Sequence, residues 1–331
     1  MKQHLMPLAL RICKALLLGM LTGAGLAPFG AWAELPRTIH IIVPFPPGGP
    51  IDLSARILAE SMRAQTGIAV IVENRPSGGG NIAAVTVKQA APNGANLLLA
   101  TSGMLTVSPH LYRNLPYDAA VDFVPVTTVS YIAVALVMGG GVPVRNLTGF
   151  VELARTTRPP LAFSSTGTGS AIHGYLELFK DAAKIDLLHV PYKGAAASFA
   201  GVMSGQIAGT FVVLANALPQ MRSGQVKVLG LVGTKRSELA PDVPTLEEQG
   251  YAGLDMLSWT GVMVRRGTRP EIVSELANAA ASALAPDAVK AKLLAGGLTH
   301  WVLPAEEFAR IITRESERWE KLIAEKKIRV E

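Results

Sequence analysis

Short apolar runs, several rich in β-branched residues, recur at 39–43, 69–72, 97–100, 161–164, 187–190, 207–213 and 226–232, with helix-like stretches between them. Strands that alternate with helices favour parallel sheets joined by crossover helices, so the pattern predicts an α/β fold. The unit is played twice. One strand set ends near Ser102 and a second begins near Leu161. Between them, 123–138 is a long apolar, β-rich stretch suited to crossing from one half to the other, and 226–232 with 258–264 suits the return. The pattern therefore predicts two lobes, with lobe I at 34–130 plus 235–331 and lobe II at 131–234. Closing helices are predicted at 269–284 and 305–325. In the second of these, Phe308, Ile311, Ile312, Trp319, Leu322 and Ile323 form an apolar stripe against a charged face, which reads as core contact.

The first 33 residues follow different rules. Lys2, Arg11 and Lys14 accompany an apolar stretch with many small residues, and Ala31-Trp32-Ala33 presents a cleavage pattern. Gly19, Gly23, Gly25 and Pro28 break that stretch well short of the roughly 20 apolar residues a membrane span needs. Residues 1–33 are thus expected to be a cleaved secretory signal. The one cysteine, Cys13, lies inside it, so the mature chain is expected to hold no thiol, disulfide or thiolate metal site. Half of the formal net charge of +6 leaves with Lys2, Arg11 and Lys14, and so weak a balance predicts no nucleic-acid partner. About 300 residues remain, more than one core usually supports, which again favours two lobes.

Two loops carry the candidate chemistry. After the first strand comes Pro-Phe-Pro-Pro-Gly-Gly-Pro-Ile-Asp, residues 44–52, opening directly into a helix-like run. Gly48 and Gly49 allow a tight turn and a close backbone approach, Pro50 suits a first helical turn, and Asp52 sits where a carboxylate helps hold the exposed N–H groups. The result is a cluster of amide donors at a helix N-terminus, which suits a carboxylate or a phosphate. The strand at 161–164 likewise runs into Ser165-Thr166-Gly167-Thr168-Gly169-Ser170 and then a helix-like stretch. By itself that segment is also explained as a turn with a serine N-cap. Its position adds weight, because ligands of open α/β sheets bind beyond the carboxyl ends of the strands, and both loops lie there. Three or four charge-assisted bonds and a helix terminus supply about 6–10 kcal/mol before ordering costs, against about 8 kcal/mol for micromolar binding. Such donors anchor one carboxylate without any arginine. They do not tell one acid from another.

The residues now carry a resemblance. Ile42-Val43-Pro44-Phe45-Pro46-Pro47-Gly48-Gly49 with Asp52, Glu73-Asn74-Arg75-Pro76, Asn114-Leu115-Pro116-Tyr117-Asp118, His189-Val190-Pro191-Tyr192-Lys193-Gly194 and Pro241-Asp242-Val243-Pro244-Thr245 are similar to the receptors of tripartite tricarboxylate transporters. This is the Bug (TctC) family of periplasmic solute-binding proteins. The resemblance spans essentially the whole mature chain. It implies a type II Venus-flytrap fold, in which two doubly wound sheets joined by crossing strands close on a small carboxylate. It also implies a periplasmic monomer that delivers its solute to a membrane permease, with no cofactor and no metal. On this chain the gripping residues would be Phe45, Pro46, Pro47, Gly48, Gly49 and Asp52 in one loop. Gly167, Thr168, Gly169 and Ser170 would face them, with Gly169 and Ser170 closing onto the same oxygens. Thr101 and Ser102 resemble a further lining segment. His173 stands where the family often has histidine, either reaching the ligand or packing behind the loop, and Tyr192 either offers its hydroxyl or packs its ring.

One departure bears on the ligand. Where many relatives have an Asp-Asn pair, this chain has Val212-Val213. A ligand ammonium would lose a counter-charge there, and an unpaired buried charge costs several kcal/mol, so an apolar or aromatic acid is expected in preference to an amino acid. Arg75 precedes a Ser-Gly-Gly-Gly turn and is expected to tie it down. Catalysis finds little support. The histidines at 40, 110, 173, 189 and 300 show no metal spacing, no G-x-S-x-G elbow is present, and Ser170 with His173 lacks an orienting acid, which leaves a secreted hydrolase a distant alternative. Nucleotide loops are also missing. A sensing module that docks onto a membrane histidine kinase remains the other alternative.

Overall fold

The structure, a computed structural model, describes residues 35–328, so the expected secretion signal lies outside the described residues. In chain order the elements are β1 (Thr38–Val43), α1 (Pro50–Thr66), β2 (Ala69–Asn74), α2 (Asn81–Gln89), β3 (Asn96–Thr101), α3 (Ser108–Leu111), β4 (Phe123–Ile132) and β5 (Val134–Gly139). Then come α4 (Leu147–Thr156), β6 (Ala162–Ser165), α5 (Ala171–Ala183), β7 (Leu188–Pro191), α6 (Ala195–Met203), β8 (Gly209–Val213), α7 (Leu214–Arg222) and β9 (Val226–Leu231). The chain closes with β10 (Ser258–Arg265), α8 (Pro270–Leu284), α9 (Asp287–Ala295), β11 (Leu298–His300) and α10 (Ala305–Glu325). The periodicity was a sound guide, since each predicted strand run overlaps an observed strand.

The strands form two sheets. One runs β11-β4-β10-β3-β1-β2 and the other β7-β6-β8-β5-β9. In each, three strands with crossover helices are parallel: β1, β2 and β3 in the first sheet, β6, β7 and β8 in the second. Strand β10 lies antiparallel between β3 and β4, and β5 antiparallel between β8 and β9.

The register fixes where the sheets join. Chain crosses from β4 to β5 through the single residue Ala133, and Ile132 at the end of β4 pairs with Ser258 at the start of β10. Val134 pairs with Val213 at the end of β8, and Ala135 with Leu231 at the end of β9. Leu214 and Val232 add backbone bonds to Ala133 and Val134, both 2.8 Å. The crossing therefore sits at the carboxyl-end edge of the parallel strands in both sheets. Loops leaving β1, β3, β6 and β8 all start from those edges.

Two aromatic-rich cores support the sheets. Trp259, Met263, Phe123 and Phe308 pack under the first, and Phe150, Phe163, Phe179 and Phe211 under the second. Helix α10 contributes to both: Phe308 lies in the first core, whereas Trp319, Leu322 and Ile323 lie in the second. At 21 residues it is about 30 Å long, enough to reach across. Trp319 lies so close above Gly174 of α5 that any Cβ there would collide with the indole. The predicted stripe is thus core contact, divided between two cores.

Candidate functional site

The loop after β1 is held from below by Asp52. This residue is buried in the first turn of α1, and its two carboxylate oxygens take three donors. Gly48 N–H and Arg56 Nε–H donate to Oδ2 at 2.9 and 2.8 Å, and Asn74 Nδ2–H donates to Oδ1 at 2.8 Å. Burial works to raise this carboxyl, but the bonds from Arg56, Gly48 and Asn74 outweigh it and hold Asp52 below the ordinary aspartate value. The same Asn74 amide reaches Phe45 O at 3.0 Å, so β2 clamps both ends of the turn. Gly48 adopts φ +89°, a left-handed conformation that a side chain would strain, and its amide is turned inward to Asp52. Among the described residues, the amides of Gly49, Ile51 and Asp52 have no acceptor. Pro50 at the first helical position has no N–H, and Gly49 caps without a side chain, so those three donors remain at the helix start.

The loop after β6 has the same strand, turn and helix plan with different fastenings. Ser170 caps α5, its Oγ accepting from His173 N–H at 3.2 Å. Gly169, at φ +77°, donates its N–H to His173 Nδ1 at 3.2 Å, and Ser170 N–H donates to Gly167 O at 3.2 Å. Both amides expected to close on the ligand are therefore used inside the loop in this structure. The amides left without an acceptor among the described residues belong to Thr166 at the strand end and to Thr168, Ala171 and Ile172 nearer the helix. Ser165 Oγ meets both the N–H and the C=O of Gly167 and lies 2.7 Å from His189 Nε2.

Behind this loop the rings of His173 and His189 stack at 3.9 Å, tilted by only 9°. Burial depresses both; His189, whose partner's like charge adds to the effect, is pushed down to about 4. Both rings are therefore neutral near neutral pH. His173 is buried and stands behind the loop.

The other expected residues sort by environment. Thr101 ends β3 and Ser102 leads into a helical turn at Gly103–Val107, a third strand end that opens into a helix at this edge. Tyr192 lays its ring on Gly201 of α6 and joins the core beside β8, while its N–H donates to Ser165 O at 3.1 Å and steadies the loop through the backbone. Val212 is buried in that same core, so the half-buried Val213 is the apolar residue at the strand end. Arg75 is spent on Glu73, at 3.0 Å.

Several supporting residues escaped the sequence reading. Arg56 was findable, since an arginine four residues after an aspartate on a helix faces it. Asn74 and His189 reach their partners only through strand pairing. So do two buried hydroxyl groupings, one under each loop. Ser54, Ser130 and Thr260 tie α1 to β4 and β10, with oxygens 3.0–3.5 Å apart, and Ser164, Ser198 and Thr210 tie β6 to α6 and β8, at 2.8 and 3.2 Å. Helix α7 also starts at this edge without a side-chain cap, directly after Val213.

Known proteins share this fold. A profile of the tripartite tricarboxylate transporter family receptor matches residues 54–328. Protein BugT of Bordetella pertussis is 31% identical over 300 residues, covering 90% of this chain and 92% of that protein. An R. palustris structure solved with adipate is 29% identical with a TM-score of 0.73, covering 88% of this chain and 98% of that one. MatC from Rhodopseudomonas palustris, solved with bound malate, is 29% identical with a TM-score of 0.67, covering 86% and 98%.

Proposed function

This chain belongs to the tripartite tricarboxylate transporter receptor family, and from that membership we propose that it captures a small carboxylate between its two glycine loops and hands it to a membrane permease. The family consists of transporter receptors rather than enzymes, and its solved members are periplasmic binding proteins. The observation that carries the reading is the pair of helix N-termini, at α1 and α5, issuing from the edges where the chain crosses between the sheets. Each offers amides without a protein acceptor, and a carboxylate is their natural partner.

Binding is by closure. The open form admits the acid, Gly49, Ile51 and Asp52 N–H groups capture one carboxylate, and Thr168, Ala171 and Ile172 meet it as the sheets approach. Ligand affinity for the closed form shifts the population, and the permease reads the closed shape. The chain acts as a monomer in the periplasm, reached through cleavage of residues 1–33. Thr101 and Ser102 line the same edge. Val213 at the end of β8 supplies no counter-charge for an ammonium at that strand end, so the ligand is an acid with an apolar or uncharged remainder. The dicarboxylates held by the adipate- and malate-bound relatives are the first probes.

Isothermal titration of the mature protein with adipate, malate and aspartate tests this, together with native mass spectrometry of protein purified without refolding. Micromolar binding of a dicarboxylate and weaker binding of aspartate is expected. Absence of binding for every acid, or tighter binding of aspartate, sinks the reading or its ligand preference respectively.

A further inference from the structure

The stacked histidines lie outside the amide donors assigned to ligand capture, yet they fasten the loop after β6 at both ends. His173 holds Gly169 through Nδ1, and His189 holds Gly167 through Ser165. An Nδ1 that accepts from an amide carries no proton, so the ring proton of neutral His173 is on Nε2, which points to Glu177 Oε1 at 3.9 Å. We propose that His173 is a positioning residue for carboxylate binding: neutral and stacked on His189, it holds the Gly169 amide in the left-handed turn, and protonation at Nδ1 releases that amide and loosens the loop.

The chemistry allows only that sign. A proton on Nδ1 turns the acceptor into a donor that faces the Gly169 N–H, and the bond is lost. With the rings 3.9 Å apart, protonating one imidazole opposes protonating the other. The charged groups around the pair are accounted for. On α5, Glu177 faces His173 and favours its protonated form, but Lys180 binds Glu177 at 2.9 Å and opposes it. From beyond α10, Lys326 approaches Glu177 at 3.9 Å and binds Asp181. From β7 the facing group is His189, and from β6 the uncharged Ser165. The balance keeps both rings below the ordinary histidine range. The inference rests on the reading that this loop receives the carboxylate.

The test starts without ligand. In the full mature protein labelled at histidine and glycine, NMR follows the His173 ring and the Gly169 amide from about pH 8 to about pH 4.5. The Gly169 amide is expected to move with the His173 ring, at one shared midpoint below that of an ordinary histidine. Glu177→Gln is expected to lower that midpoint for both signals together. A Gly169 amide that stays still while His173 titrates, or that ignores the shift caused by Glu177→Gln, overturns the proposal. Adipate titration then supplies the functional arm. Its affinity is expected to fall about tenfold between the neutral and the protonated state, the worth of one loop hydrogen bond. Binding that is equally tight in both states also overturns the proposal. If adipate and malate fail to bind at any pH while Gly169 still follows His173, the carboxylate reading falls and the latch stands.

Discussion

The two glycine loops answer one demand, amides held outward at a helix start, with opposite electrostatics. The loop after β1 is fastened by an ion: buried Asp52 draws on Gly48, Arg56 and Asn74 at once. The loop after β6 is fastened by neutral groups: a serine cap, a serine hydroxyl and two stacked imidazoles. An ionic latch on a carboxylate held below its ordinary value persists until strongly acid pH. The histidine latch is lost when an imidazole gains a proton, which happens below the ordinary histidine range. The first sheet thus presents a fixed anchor and the second an adjustable one.

Breaking the ionic latch has the largest expected effect. Asp52→Ala leaves the Gly48 amide, Arg56 and Asn74 without their shared acceptor, and is expected to cost about 3 kcal/mol in denaturant unfolding and to abolish carboxylate binding. Next comes Glu315, a carboxyl in α10 that takes the Trp259 indole N–H at 2.8 Å and that burial pushes up to about 7. Its contribution is present at low pH and lost as pH rises through about 7. Glu315→Gln, which keeps an acceptor and removes the charge, is expected to stabilise the protein at pH 8 by about 2 kcal/mol.

The same variant sharpens the comparison. The histidines bind protons more readily unfolded than folded, so their contribution is complete above about 6.5 and declines as pH falls towards about 4. Glu315 has the opposite sign over much of that window and masks the decline. A plot of stability against pH for Glu315→Gln is expected to fall from about pH 6.5 downward, by at most about 1.4 kcal/mol per pH unit for each extra proton. A flat profile would mean that the imidazoles are not held neutral.

Smaller effects complete the series. Ser170→Ala removes the cap of α5 and is expected to cost about 1 kcal/mol, a third of the Asp52 effect. Tyr192→Phe is expected to change stability and carboxylate affinity by less than about 0.5 kcal/mol, since its ring packs on α6 and its steadying bond is made by the backbone. A large loss of affinity in Tyr192→Phe would place its hydroxyl on the ligand instead.

What the sequence determined was local. Apolar runs marked the strands, Pro50 and Ser170 marked helix starts, and the glycines at 48–49 and 167–169 marked turns, because each depends on neighbours within a few residues. What only the tertiary structure decided was which of those groups are already used. Pairing of β1 with β2 brings Asn74 to Asp52, and pairing of β6 with β7 carries His189 to the loop that precedes His173. The pleat turns Val212 into the core and leaves Val213 at the strand end. The same limit applied to α10, whose stripe announced burial but not that it serves two cores. A hydrogen bond between residues distant in sequence is set by register and sheet order, and these follow from the packing of the whole chain.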